Sequence, residues 1–425
     1  AWRDTARGSV PITWLMNPLL LERFPALWEY YLTQLKGDDI FTVACSGAGY
    51  AILSSLPHPA LYEAHTKTYM EKTGLEYVDV WTDGYDPDGW KRFQEGCDAK
   101  GLSVQSWMPD ELQAFPDGTV LTGTAPGLIY WRVPEGHDPA EWLAEQLRDR
   151  ASKRGRPAFI QVYCGTSATV FRKTMDLLGS EYVALPYSAY SELASEFCKL
   201  QTPSDRLWAG PGEMRNFELV ARNYGEASLS ASVTIESPSG WTVQPSACSL
   251  EIGSKAEETL LVSARVGDEA TPGNYEIKVT SDFAGTRSLI ATIFSKLQPL
   301  SLAATDWLPW PGVPALAGQE DKALVISNAP GKPYSAVELP FEVDFSSKAQ
   351  LLLEASRLKG AWAVKIRAEE GMEDWVVIKD TNRAGSHVVP LNVPGWEGVR
   401  KARLLIFSLG EGGEVVLSRA ALVWE

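Results

Sequence analysis

Acidic and aromatic side chains crowd one short stretch of this chain, Asp79-Val80-Trp81-Thr82-Asp83-Gly84-Tyr85-Asp86. If the stretch leading into it is extended, alternate residues share a face, so Tyr77, Asp79 and Trp81 point one way and Asp83 falls just past the strand end. Cleavage of a glycosidic bond needs one carboxyl as acid and a second as base or nucleophile. The two stand ~5 Å apart for retention and ~6.5–9.5 Å apart for inversion. Asp83 and Asp79, with Asp110 and Glu111 after the next apolar run, are the catalytic candidates. Trp81, Tyr85, Trp107 and Tyr130 supply flat, half-polar faces on which a sugar ring could stack. Asp86 stands directly before Pro87 and reads as a helix cap instead.

A second cluster, Ser46-Gly47-Ala48-Gly49-Tyr50, sets two glycines around one small residue. Gly47 and Gly49 permit a tight turn or a close backbone approach to a ligand, with Tyr50 at its edge as a further binding candidate. A dinucleotide fingerprint is excluded, because the third glycine and the downstream ribose-binding acid are missing. The four histidines (His58, His65, His137, His387) fall at expected loops or helix surfaces, without metal-ligand spacing. No H-x-x-x-H pair and no G-x-S-x-G elbow occurs, so neither metal nor other cofactor is expected. Five scattered cysteines (Cys45, Cys97, Cys164, Cys198, Cys248) form no C-x-x-C pair and read as buried free thiols.

The elements that must carry these residues alternate along residues 1–200. Apolar runs at Val10–Met16, Ile40–Cys45, Tyr77–Trp81, Leu102–Trp107, Leu128–Trp131, Ala158–Tyr163 and Tyr182–Leu185 read as strands. Asn17-Pro18, Asp86-Pro87 and Asp138-Pro139 read as helix starts. One helical face is expected at Leu20, Phe24, Leu27, Tyr31 and Leu35, another at Leu143, Leu147 and Ala151. About seven strand–helix units predict a (β/α)7–8 barrel-like domain whose function sits where strands end and loops begin. From 201 to 298 the helical signal stops. Alternating runs at Phe217–Ala221, Ala231–Ile235, Leu260–Ala264 and Tyr275–Thr280, with turns at Pro238-Ser239-Gly240 and Pro272-Gly273-Asn274, predict an immunoglobulin-like β-sandwich. Residues 299–425 predict a second, jelly-roll-like sandwich.

The 425 residues carry a net charge of −15 and 16 tryptophans. The acidic balance argues against a nucleic-acid partner, since that would need a dense basic stripe. No uninterrupted apolar stretch reaches the ~18–20 residues of a membrane helix. Eight tryptophans lie before residue 200, two between 200 and 300, and six after 300, so the outer segments hold the aromatic surface.

Ser46-Gly47-Ala48-Gly49-Tyr50, with Val10–Pro18 and Asp39-Ile40-Phe41 before it, resembles the GxGYxYP family, whose members are assigned as glycoside hydrolases. The likeness covers roughly residues 8–200 and implies a barrel-like domain in a carbohydrate setting. Gly47, Gly49 and Tyr50 match the first half of the motif, while Ile52 and Leu53 replace its Tyr-Pro half. The family also carries an acidic stretch ahead of the first strand, and this sequence begins downstream of the equivalent position. The middle segment looks like the immunoglobulin-like modules that accompany α-galactosidases. The last is similar to carbohydrate-binding sandwiches, with Trp362, Trp375 and Trp396 as aromatic candidates. Hydrolysis of a poly- or oligosaccharide and glycan binding without catalysis are therefore both expected readings. A lyase or deacetylase is disfavoured. Export to the cell envelope or beyond goes with either reading.

Overall fold

The computed structural model describes residues 2–44, 46–81, 87–105, 112–115, 117–123, 133–152, 156–162, 167–202, 206–309, 315–332, 334–368, 374–381, 385–391, 393 and 396–424. Its front part is a six-stranded sheet of β1 (Thr13–Met16), β2 (Ile40–Val43), β3 (Tyr77–Trp81), β4 (Gly101–Gln105), β5 (Leu112–Ala114) and β6 (Val120–Gly123), in the order β1-β2-β3-β4-β6-β5. Neighbours are parallel except β5, which runs antiparallel to β6. The helices are α1 (Leu20–Arg23), α2 (Pro25–Thr33), α3 (Pro59–Thr73), α4 (Pro87–Cys97), α5 (Pro139–Ser152), α6 (Ala168–Leu178) and α7 (Tyr187–Cys198).

The two faces of this sheet differ in chemistry. On the outer face Met16, Phe41, Val43, Val78, Val80, Leu102, Val104 and Leu121 pack against Trp28, Met70, Trp90 and Phe93 of the helices. The inner face is polar. Asp79, Ser103 and Thr122 lie side by side in register on β3, β4 and β6, and all three are buried. Curvature brings β1 towards β6, the strand beside the β5 edge. The Tyr187 amide donates to the Thr13 hydroxyl of β1 at 2.9 Å, and the Tyr187 hydroxyl is 2.9 Å from that of Thr122 on β6. A flat sheet would hold β1 and β6 about 19 Å apart at ~4.8 Å per interval, further than one tyrosine spans. The sheet is thus strongly curved.

Several local expectations are corrected. Tyr182–Leu185 is coil leading into α7, and Ala158–Tyr163 contributes only a single bridge at Gln161 among its described residues. The expected face after Pro18 is broken, because Pro25 has no N–H to continue the first helix. Phe24 adopts φ −143°, ψ 63° between α1 and α2. The phase resets there, so Trp28 is buried while Phe24 is left 61% exposed. The Asp138 cap holds: its carboxylate accepts from the amides of Ala140 (2.8 Å) and Glu141 (3.2 Å), which lowers its pKa. Leu143 and Leu147 are buried as the period requires. Cys97 and Cys198 are buried free thiols, both pushed up to about 12 by desolvation, and Cys248 is half-buried.

Residues 200–293 form two facing sheets around one core. Strands β7 (Leu200–Gln201), β9 (Met214–Arg222), β11 (Thr242–Gln244) and β13 (Glu257–Arg265) make the first. Strands β8 (Arg206–Ala209), β10 (Leu229–Glu236), β12 (Ala247–Ile252), β14 (Gly273–Ser281) and β15 (Gly285–Ile293) make the second. Alternate residues such as Ala231, Val233 and Ile235 point inward. Among its described residues the last part is mostly sheet: β16 (Lys296–Pro299), β17 (Leu308–Pro309), β18 (Ala315–Glu320), β19 (Ala323–Asn328), β20 (Tyr334–Asp344), β21 (Gln350–Ala368), β22 (Asp374–Thr381), β23 (Gly385–Pro390) and β24 (Val399–Trp424). The long β21 and β24 run antiparallel over most of their length and wrap a core of Trp362, Val364, Ile366, Leu404 and Ile406.

Phe294, Leu352, Ala421 and Val423 form a small apolar cluster joining the two sandwiches. Beside it Arg419 donates to the Trp208 carbonyl (2.7 Å) and to Glu213 (2.8 Å), while Arg215 donates to Glu354 at 2.7 Å. No described helix is long and apolar enough to cross a membrane.

Candidate functional site

In α/β sheets, ligands gather outside the carboxyl ends of the parallel strands, where the backbone leaves the sheet. Here that rim is built at the ends of β2 and β3. After β2 the chain turns through Ser46 at φ 74° and Gly47 at φ 115°. Ser46 clamps the turn to β3: its amide donates to the Asp79 carbonyl at 2.8 Å. Its hydroxyl donates to the Trp81 carbonyl (3.0 Å) and accepts from the Trp81 amide (2.9 Å). Gly47 is required by space as well as by φ, since an added Cβ would lie 2.5 Å from the Thr66 hydroxyl and 3.2 Å from the Phe93 ring. Helix α3 holds the other side, with Thr66 accepting from the Ala48 amide (3.1 Å) and the Tyr62 hydroxyl donating to the Gly49 carbonyl (2.5 Å).

The turn delivers Tyr50 to the surface, where it is 67% exposed. Its ring meets Trp81 at 5.8 Å between centroids and 65° between planes. An exposed tyrosine standing edge-on to a half-buried tryptophan at a strand-end rim is a surface suited to the apolar face of a sugar. Asp79 lies beneath it, 3% exposed. Its Oδ1 accepts from the Ser103 hydroxyl at 2.9 Å and its Oδ2 from the Trp81 indole N–H at 3.2 Å.

The structure brings together Gly47, Gly49, Tyr50, Trp81 and Asp79. Asp83, Asp110, Glu111, Tyr85, Trp107 and Tyr130 lie outside the described residues, as does Asp86. Sequence reasoning missed Ser103, Thr122, Gln161 and Tyr187, which complete the polar inner face behind Asp79. The alternation of polar residues at Ser103 and Thr122 within apolar strands was the available signal. His58 and His137 lie exposed outside helices and strands and His65 lies exposed on α3, as expected, whereas His387 lies in a strand. His65 packs edge-on against Tyr69, and His387 sits in β23 with its ring 5.2 Å from Trp362. Of the three C-terminal aromatic candidates, Trp362 is fully buried and Trp396 packs on the core beside Phe345. Trp375 is 42% exposed on β22.

Residues 1–195 match the family model described as the GxGYxYP putative glycoside hydrolase C-terminal domain. Residues 209–283 match the NPCBM-associated NEW3 domain of alpha-galactosidase. No curated protein matches the chain. Among solved structures, the chain is similar to a protein described as a putative hydrolase from Bacteroides thetaiotaomicron VPI-5482 at 15% identity and TM-score 0.40, over 46% of this chain and 40% of that one. It therefore spans two fifths of that protein's length. It is also similar to a family 29 carbohydrate-binding module at 14% identity and TM-score 0.24, over 30% of this chain and 91% of the module. A family 29 module solved with cellulohexaose gives 14% identity and TM-score 0.24, over 30% and 90%.

Proposed function

We propose that this protein, whose front part matches the GxGYxYP glycoside hydrolase model, acts on a poly- or oligosaccharide. The reading gives the rim of the curved sheet, closed as a (β/α)7–8 barrel, the role of substrate cleft, with Asp83 working against Asp110 or Glu111 in acid/base hydrolysis. The immunoglobulin-like module serves as a spacer and the jelly-roll-like sandwich as a second glycan contact, in an exported, envelope-associated or secreted protein. The observation that carries the reading is the Tyr50–Trp81 pair at the carboxyl ends of β2 and β3. An accessible aromatic corner over a polar interior supports carbohydrate recognition at the place where such folds hold their ligands.

The test is a screen of polysaccharides for released reducing ends, run with Asp83→Asn beside the wild type. Loss of ~10³-fold or more in turnover with retained binding is expected for a catalytic carboxyl. Unchanged turnover would remove Asp83 from the mechanism.

Binding without catalysis is the second reading, favoured by one observation. Asp79, the catalytic candidate within the described residues, is buried and accepts hydrogen bonds on both oxygens. Retardation by a polysaccharide with no product after long incubation would support that reading.

A further inference from the structure

We infer that Asp79 is a positioning residue: its carboxylate holds the Trp81 indole by the N–H and so sets the tryptophan's face toward Tyr50. This rests on the glycan-rim reading above and names the group that builds the rim. Trp81 is two residues beyond Asp79 on the same strand face, so the two side chains stand one above the other. The 3.2 Å bond from the indole N–H to Asp79 Oδ2 fixes which edge of the ring points inward. That choice presents the ring to Tyr50 at 5.8 Å.

The hydrogen-bond polarity behind Asp79 points the same way. Thr122 donates to Gln161 Oε1 at 2.7 Å, Gln161 Nε2 donates to the Ser103 hydroxyl, and Ser103 donates to Asp79 Oδ1 at 2.9 Å. With the Thr122 proton so committed, the Tyr187 hydroxyl 2.9 Å away is the donor to Thr122. Burial pushes the Tyr187 phenol well above its ordinary pKa, so it keeps its proton. The donors run head to tail and finish on a carboxyl that accepts on both oxygens, one bond from Ser103 and one from the indole. A nucleophile must reach solvent, and Asp79 is buried.

The test has a ligand-free arm and a binding arm. In indole 15N–1H spectra, the Trp81 cross-peak is assigned by its loss in Trp81→Phe. We expect its proton to exchange at least tenfold faster in Asp79→Leu and to stay protected in Asp79→Asn, whose one carbonyl oxygen can face the indole while its amide group donates to the Ser103 hydroxyl. Fast exchange in the wild type, or the same rate in Asp79→Leu, overturns the inference. Should Asp79→Leu fail to fold, Ser103→Ala loosens the same carboxylate and should speed exchange about threefold.

In native gels containing soluble β-glucan, galactomannan, xylan or α-mannan, Asp79→Leu should weaken retardation about tenfold and Asp79→Asn less than twofold. Adding Asp79→Leu to Trp81→Phe should cost nothing further, since coupled residues are not additive. If Trp81→Ala lowers affinity but Asp79→Leu does not, the positioning role fails and the glycan rim stands. If Trp81→Ala changes nothing while the indole proton still responds to Asp79, the glycan reading fails instead. Asp79→Asn that binds normally yet loses turnover would make Asp79 catalytic and overturn the inference.

Discussion

Replacing Gly47 by alanine tests the rim through its tightest point. The residue sits at φ 115°, where an L side chain costs about 1–3 kcal/mol. The new methyl would lie 2.5 Å from Thr66 Oγ1, 3.1 Å from Thr66 Cγ2 and 3.2 Å from the Phe93 ring. Thr66 and Phe93 are fully buried and have no solvent to retreat into. Overpacking of this kind costs a further ~1–3 kcal/mol. If Thr66 turns aside, the Ala48 amide loses its 3.1 Å acceptor, which adds ~1–3 kcal/mol for a buried donor. A loss of about 4 kcal/mol is expected, a large share of a domain's stability.

Gly49, two residues on, is the internal control. An added Cβ there meets nothing within 4 Å and its φ is not positive, so Gly49→Ala should stay within ~0.5 kcal/mol. Because a chain with several cores need not unfold in one step, the assay is hydrogen exchange in graded urea, read on peptides from β2 through β4. Equal stability of the two variants, or a larger loss at Gly49, would refute the reasoning.

Two further outcomes follow from charged groups. Asp4 accepts from the Ala6 amide (2.9 Å) and from the hydroxyl (2.8 Å) and amide (3.2 Å) of Thr169, which pull its pKa to about 2. A carboxyl lowered on folding stabilises above its unfolded pKa and loses that contribution as pH falls through the folded one. The melting-temperature gap between wild type and Asp4→Asn should hold steady above ~pH 5 and close by ~pH 2, and a gap that persists there would contradict the tether. Arg419 is largely buried between the sandwiches, bonded to Trp208 and Glu213. Removing one partner of such a pair costs ~3–5 kcal/mol. Calorimetry of Arg419→Met should therefore show the shared sandwich transition ~5–10 °C lower, or split in two, and an unshifted single transition would deny the coupling.

The turn after β2 and one face of β3 were legible because their signals are local. Glycines at 47 and 49 announced a backbone that needs room, though only Gly47 meets close neighbours. The alternation of Tyr77, Asp79 and Trp81 placed an acid and an indole on one strand face, and their hydrogen bond follows from that placement. The role of Asp79 was not legible. Whether a carboxyl faces solvent or a donor chain depends on Ser103, Gln161 and Tyr187, which are 24, 82 and 108 positions away in a sequence that shows no trace of the pairing. Phe24 was misplaced for the opposite, local reason: the adjacent Pro25 shifts the helical phase.

From the amino-acid order alone came the division into an α/β front and two sheet-rich parts, the capped start of α5, the alternation of the middle strands and the strand-end position of Trp81. Each depends on spacing within a few residues, where backbone geometry dictates direction. Tertiary structure decided the rest. It bent the front sheet until Tyr187 could reach both β1 and β6, buried Trp362 while leaving Trp375 exposed, and enclosed Asp79 while leaving Tyr50 in solvent. These outcomes depend on which distant segments share a volume, and exposure and hydrogen bonding are properties of that shared volume.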